Sequence, residues 1–283
     1  MLDEFKDFLI NESKSSNSIK NYILHVNEYL KWFKESFAMD FNQLYRKNVL
    51  EFKSYLKTIK NNSAKTINVK LSSLIKFNEF LQEKSIQDNI VVSKKDFIKV
   101  QDNIARPGKV EPKEIDKFIQ EVLENESKRN FAMVMLMAYG GLRISEVINI
   151  KLKDICLIEG SAEVVITEGK GDKVRRVPLN NKVVDSIKRY LEERAGSKYR
   201  DLEYLFVSNK GNQVDRTGIN KIFKKYSDNI TPHELRHFFC THALEKGFGI
   251  HEVATIAGHS NIHTTLRYTN PSTQQLHDKM NLL

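Results

Sequence analysis

Apolar side chains along the first hundred residues recur three and four positions apart, the spacing that lines one face of an α-helix, and the stretch holds neither glycine nor proline. Leu2, Phe5 and Leu9 predict a short opening helix. Ile19, Tyr22, Ile23, Val26, Leu30 and Phe33 form a second stripe after the cap-forming Ser16-Asn17-Ser18. Val49, Phe52, Leu56 and Ile59 make a third, and Ile67, Leu71, Leu74, Phe77 and Leu81 a fourth. Four such helices suffice for a small bundle.

Between Lys94 and Val110 the periodicity lapses, and Arg106-Pro107-Gly108 cannot continue a helix. This places a linker at 96–110, between an N-terminal domain at 1–95 and a C-terminal domain at 111–283. Pro112 suits the first position of a helix carrying Ile115, Phe118, Ile119 and Leu123. A strongly apolar helix follows over 131–139 and is ended by Gly140-Gly141. The period then changes: 154–158, 163–167 and 173–177 are short β-prone runs separated by Glu159-Gly160-Ser161 and Gly169-Lys170-Gly171, which predicts a three-stranded antiparallel sheet. Helical patterns return over 183–194, 217–226, 232–246 and 251–256. The expected fold class is mainly α with a small antiparallel β-sheet, in two domains: an N-terminal four-helix domain and a C-terminal α+β domain.

Charge adds a direction. Forty-five Lys and Arg against 36 Asp and Glu give a net charge of +9 and a pI near 9.3, which suits a polyanion such as DNA. The excess is spread, with 17 basic and 13 acidic residues in 1–105 and 28 and 23 in the remainder, so the lysine-bearing helix faces could follow a duplex or simply meet water. Cys156 and Cys240 lie far apart in apolar or helical surroundings, as free thiols in a reducing cytoplasm would. The acidic, amphipathic start and the lack of a long apolar run argue against a secretion signal or a membrane span.

Several segments offer chemistry. Arg143 follows a glycine turn where a helix can begin, so an anion could sit there; pairing with Glu146 one turn on is the plainer reading. Lys170 stands on a glycine-flanked hairpin tip, mobile enough to deliver a proton, although such tips are usually just solvated. His233 and Arg236, three apart in Thr231-Pro232-His233-Glu234-Leu235-Arg236-His237, project from one face of a helix whose inner side would be Leu235, Phe238, Phe239 and Ala243. The same stretch spells H-E-x-x-H, in which His233 and His237 would hold zinc and Glu234 would act as base. His233 falls at the helix start, and no further ligand has a compelling spacing. His259 follows Gly258 at a helix junction, and Tyr268 comes nine residues later. Read singly, each has a packing or solvation explanation. Taken together, two arginines, a lysine, two histidines and a tyrosine are what a metal-free attack on a phosphodiester requires. Arginine forks neutralise the phosphate oxygens, and a tyrosine of pKa about 10 needs a proton acceptor and a positive field.

These motifs resemble the tyrosine recombinase, or phage integrase, family along nearly the whole chain. Gly141-Leu142-Arg143-Ile144-Ser145-Glu146 looks like its first arginine box and Gly169-Lys170-Gly171 like its hairpin lysine. His233-Glu234-Leu235-Arg236-His237 looks like its H-x-L-R-H box, Gly258-His259-Ser260 and Thr265 through Tyr268 like the closing box, and the N-terminal half like its core-binding domain. The resemblance implies that Tyr268 attacks the scissile phosphate and holds the DNA 3′ end. Arg143 and Arg236 would clamp that phosphate, His259 would hydrogen-bond it, Lys170 would protonate the leaving 5′ oxygen, and His233 would assist proton removal from Tyr268. Glu146 would support Arg143. It also implies a double-stranded DNA partner with a specific site, no cofactor and no metal, and a homotetramer on two duplexes, linked by a tail helix at 270–283 that carries Leu276, Met280 and Leu283. Docking of that tail on its own domain is the alternative. Ala257 and Asn270 depart from the residues the family more often has, at positions that do not bear the chemistry. The compact length suits a Xer-like or resolvase-like role. Three rivals stand beside this reading: a type IB topoisomerase, a DNA-binding protein without catalysis, and the zinc protease.

Overall fold

The computed structural model describes residues 1–100, 110–158, 160–168, 173–259, 261–266 and 280. It divides the chain into two compact units, Met1–Asp102 and Asn103–Leu283.

The first unit is helical: α1 (Leu2–Asn11), α2 (Ser16–Phe37), α3 (Arg46–Thr58) and α4 (Ala64–Glu83). Ser15, one residue ahead of the expected cap, accepts the Ser18 N–H through its hydroxyl, and Ser63 does the same for Thr66. The stripes of α2 and α4 converge on rings from α1 and α3, with Phe5 edge-on to Phe77 at 5.1 Å and Tyr29 edge-on to Phe52 at 5.1 Å. Ile59 does not join them. It stands one residue past the end of α3 and is 68% exposed, because the helix stops before the stripe does. Residues 96–98, read as linker from the sequence, pack on this core: Asp96 pairs with Arg46 at 2.5 Å, and Phe97 and Ile98 lie against the apolar cluster.

In the second unit α5 (Pro112–Asn125) and α6 (Lys128–Tyr139) are followed by a short α7 (Ile144–Asn149). Residues Ala132 to Ala138 are all buried, the signature of a helix covered on every side. On α5 it is Val122 that enters the core, while Leu123 is 43% exposed. Strands β1 (Ile155–Cys156), β2 (Glu163–Glu168) and β3 (Lys173–Pro178) form the antiparallel sheet in the order β1-β2-β3, with Val164 opposite Val177 and Ile166 opposite Arg175. Among the described residues four further helices follow, α8 (Asn181–Ala195), α9 (Arg216–Tyr226), α10 (Pro232–Glu245) and α11 (Ile250–Ala257), and then a short turn, α12 (His263–Leu266). Packing α10 against α6 brings together residues distant in the chain, such as Tyr139 and Phe238. Both cysteines are free, Cys240 buried and Cys156 half-buried. Among the described residues no helix is long and apolar enough to cross a membrane.

Candidate active site

The site forms where three chain turns meet: the start of α7, the first turns of α10 and the end of α11. Gly141 turns the chain out of α6 with φ +65°, and a Cβ there would fall 2.3 Å from the Phe239 ring. That close approach seats Arg143 at the head of α7. Its backbone N–H donates to Glu146 Oε2 at 2.8 Å, its Nη1 donates to Glu146 Oε1 at 2.7 Å, and its Nη2 donates to the Gly258 carbonyl at 2.8 Å. The expected pairing of Arg143 with Glu146 is present, and Arg143 also reaches the segment that carries His259.

Arg236 comes from the buried side of α10. Its Nη1 donates to the Gly141 carbonyl at 2.7 Å and its Nη2 to the Ala257 carbonyl. The two arginines are thus crossed: each holds a backbone carbonyl on a turn next to the other. They differ in exposure, with Arg143's side chain 40% accessible and Arg236's 4%. Burial, and then the charge of Arg143, push Arg236 down to about 10, still a cation at neutral pH. On α10, Leu235 and Ala243 are buried as expected. Phe238 and Phe239 are only half-buried, and the interior positions go to Arg236 and Cys240 instead.

His259 follows Gly258, which closes α11 in the left-handed conformation at φ +65°. Its Nδ1 shares a hydrogen bond of 2.8 Å with the hydroxyl of Thr265, a residue with no accessible surface. Burial lowers the imidazole from 6.5 to about 4, and Arg236, Arg143, Arg175 and His233 add to the effect. His259 is therefore neutral at physiological pH, able to donate through one nitrogen while Thr265 engages the other. His233 is exposed on the first turn of α10, close enough for its charge to be felt at His259. Lys170 and Tyr268 lie outside the described residues. So do most of the tail positions; Met280 is helical and exposed.

Sequence reading missed Arg175. Its Nη2 donates to Glu146 Oε2 at 2.8 Å and its Nε to the Ile256 carbonyl at 3.0 Å. The signal was there: alternation along β3 puts Arg175 on the same face as Val177, which is fully buried, whereas Arg176 faces out toward Glu163. Burial alone would raise Glu146, but the hydrogen bond from Arg175, followed by those from Arg143, holds it below the usual carboxylate range. Among the described residues no three His, Cys, Asp or Glu side chains converge as metal ligands.

The phage integrase family profile matches residues 109–275, and the profile of the phage integrase N-terminal SAM-like domain matches residues 2–85. The chain belongs to the phage integrase family of tyrosine recombinases. Members of this family cleave and rejoin DNA. One relative within the family, the TnP I resolvase of Bacillus thuringiensis, is 51% identical over 281 residues, covering 99% of this chain and 98% of its own. The tyrosine recombinase XerD of Oceanobacillus iheyensis is 31% identical over 294 residues, covering 98% and 95%. In fold, the chain is similar to a XerH recombinase bound to palindromic difH substrate in a post-cleavage complex, with a TM-score of 0.73 at 23% identity over 93% of this chain and 79% of the other. The recombinase frame accounts for both units, the helical first and the α+β second.

Proposed function

We propose that this recombinase cuts DNA with Tyr268 as nucleophile, in a site made by Arg143, Lys170, His233, Arg236 and His259. The observation that carries the reading is the meeting of two guanidiniums and a neutral imidazole around the Gly141 and Gly258 turns. Arginine forks there can take up the non-bridging oxygens of a phosphate. The Tyr268 oxygen attacks phosphorus and passes its proton toward His233. The bond from phosphorus to the 5′ oxygen breaks, and Lys170 gives that oxygen a proton. The DNA 3′ end stays on Tyr268 as a phosphodiester, so a 5′ hydroxyl from a partner strand can reverse the step without an external energy source. His259 donates a hydrogen bond to the phosphate throughout, and Glu146 holds Arg143 in place.

The substrate is double-stranded DNA bearing a specific recombination site, and two such duplexes are held by a homotetramer whose 270–283 tail docks on the neighbouring subunit. The cytoplasm, where DNA lies, is the place of action. Likeness to a relative named as a resolvase supports a role in separating joined replicons over one in element integration.

The test is a nicked suicide duplex, from which the cut strand cannot religate. The wild type is expected to accumulate a covalent protein–DNA complex in the presence of EDTA, and Tyr268→Phe none. A complex formed by Tyr268→Phe would remove Tyr268 as nucleophile. Truncation after Asn270 is expected to weaken cooperative assembly more than single-site binding; equal loss of both would place the tail on its own domain.

A further inference from the structure

Arg175 belongs to none of the motifs that identify the family above, yet its guanidinium joins two of the three turns of the site, the head of α7 and the end of α11. The side chain is 11% accessible. One edge is bonded to Glu146 at the head of α7 and another to the Ile256 carbonyl in the last turn of α11. Its flat face lies under Gly258: a Cβ on Gly258 would fall 2.7 Å from Arg175 Cζ and Nη1. A single planar group from β3 therefore sets the distance between the turn bearing Arg143 and the turn bearing His259.

Two physical reasons make arginine, rather than any side chain of similar bulk, fit this place. The carbonyls in the last turn of a helix lack intrahelical donors, and Arg175 supplies one for Ile256. Glu146 is also buried, and with only Arg143 and the more distant Arg236 beside it, 4.0 Å away, it would cancel half of the positive charge meant for the phosphate. With Arg175 present, three guanidiniums face one carboxylate, which leaves two positive charges for a transition state that carries two negative ones.

We propose that Arg175 is a positioning residue for DNA strand cleavage: it clamps the Gly258–His259 turn against Glu146 and so holds His259 and Arg143 at the spacing that a phosphate requires. The inference rests on the proposed roles of those two residues.

The test uses the full chain, the nicked suicide duplex and two variants. Arg175→Lys keeps the charge but cannot bond Glu146 and the Ile256 carbonyl together while lying flat under Gly258. It is expected to slow single-turnover formation of the covalent complex on the order of 100-fold, as a misplaced reacting group does. DNA binding is expected to stay within about threefold, because the interaction lost is one that matters in the transition state. Arg175→Gln also removes a charge that depresses His259, so the His259 titration followed by imidazole NMR is expected to move up. That shift reports the Arg175 charge standing beside His259, as the clamp requires. Cleavage by Arg175→Lys within about threefold of wild type, a rate loss matched by equal loss of DNA binding, or an unmoved His259 titration in Arg175→Gln overturns the proposal. His259→Ala, run in parallel, separates the two levels. If it cleaves like the wild type, the reading of the site fails; if it is slow while Arg175→Lys is not, only the role of Arg175 fails.

Discussion

In the first unit the interior is built from rings and aliphatic chains, and its buried polar groups other than Asp96 are uncharged. Asn78 illustrates the pattern: its amide accepts the Val91 N–H at 3.0 Å and donates to the Asn89 carbonyl at 3.2 Å, stapling the chain after α4 to that helix. The second unit instead buries cations: Arg194, which donates to the Leu202 and Leu205 carbonyls, and Arg236, which lies with most of Glu146 and Arg175 in one connected cluster. A buried cation is costly unless it is paired and hydrogen-bonded, and an apolar replacement is often as stable or more so. Hence the first unit is what a chain does to fold, while the cluster in the second carries a cost that the phosphate-binding role proposed for it explains.

That contrast can be broken by experiment. Phe77→Ala empties a fully buried site ringed by Phe5, Phe41 and Phe80, and is expected to cost about 3–5 kcal/mol. Trp32, the one tryptophan, sits in the first unit, so its fluorescence during urea unfolding reads that unit, and its midpoint should fall. An unmoved midpoint would mean that the ring cluster does not carry the stability of the bundle. Arg236→Met should do the opposite: it should leave the Trp32 transition in place and slow covalent-complex formation about 10²–10³-fold. Lost hydrogen-exchange protection of α10 and α11 in Arg236→Met would show that the cluster serves the fold of the second unit as well.

Gly141→Ala forces a side chain into a left-handed turn and against Phe239. About 1–3 kcal/mol of destabilisation is expected, confined to the second unit and seen by hydrogen exchange of α6 and α7. The remaining effect is electrostatic. With a folded pKa of about 4 against the ordinary 6.5, His259 adds stability that is complete above about pH 6.5 and fades as pH falls toward 4. Imidazole NMR should find it neutral at pH 5, and Arg236→Met should lift its midpoint. A wild-type imidazole already charged at pH 5 would show that burial and the cluster's field together act on it less than the geometry implies.

Most of the fold was legible because helices and strands repeat with periods that the apolar residues keep. Errors fell where periodicity has no authority. Ile59 lies past a helix end set by chain direction, and Leu123 competed with Val122 for one core position that only the neighbouring elements could assign. The first arginine box and the H-x-L-R-H box were readable because chemistry constrains residue type at short spacing. Arg175 was not, because the adjacent Arg175 and Arg176 read as one basic pair until strand alternation separates an inward side chain from an outward one. Thr265 was readable as part of the closing box, but its bond to His259 was not, because the two are brought together only by the fold of α11 and α12.

The crossed arginines have a consequence for how the recombinase meets DNA. An arginine side chain carries about 2 kcal/mol of rotamer freedom, which a loose site must surrender at each encounter with a phosphate. Here Arg143 and Arg236 are already held by the Gly258, Gly141 and Ala257 carbonyls, so that freedom is gone once the chain has folded. Along a genome the enzyme touches far more wrong phosphates than right ones. On the roles proposed for the two arginines, the same still template meets each of them, and discrimination is left to the contacts that read sequence.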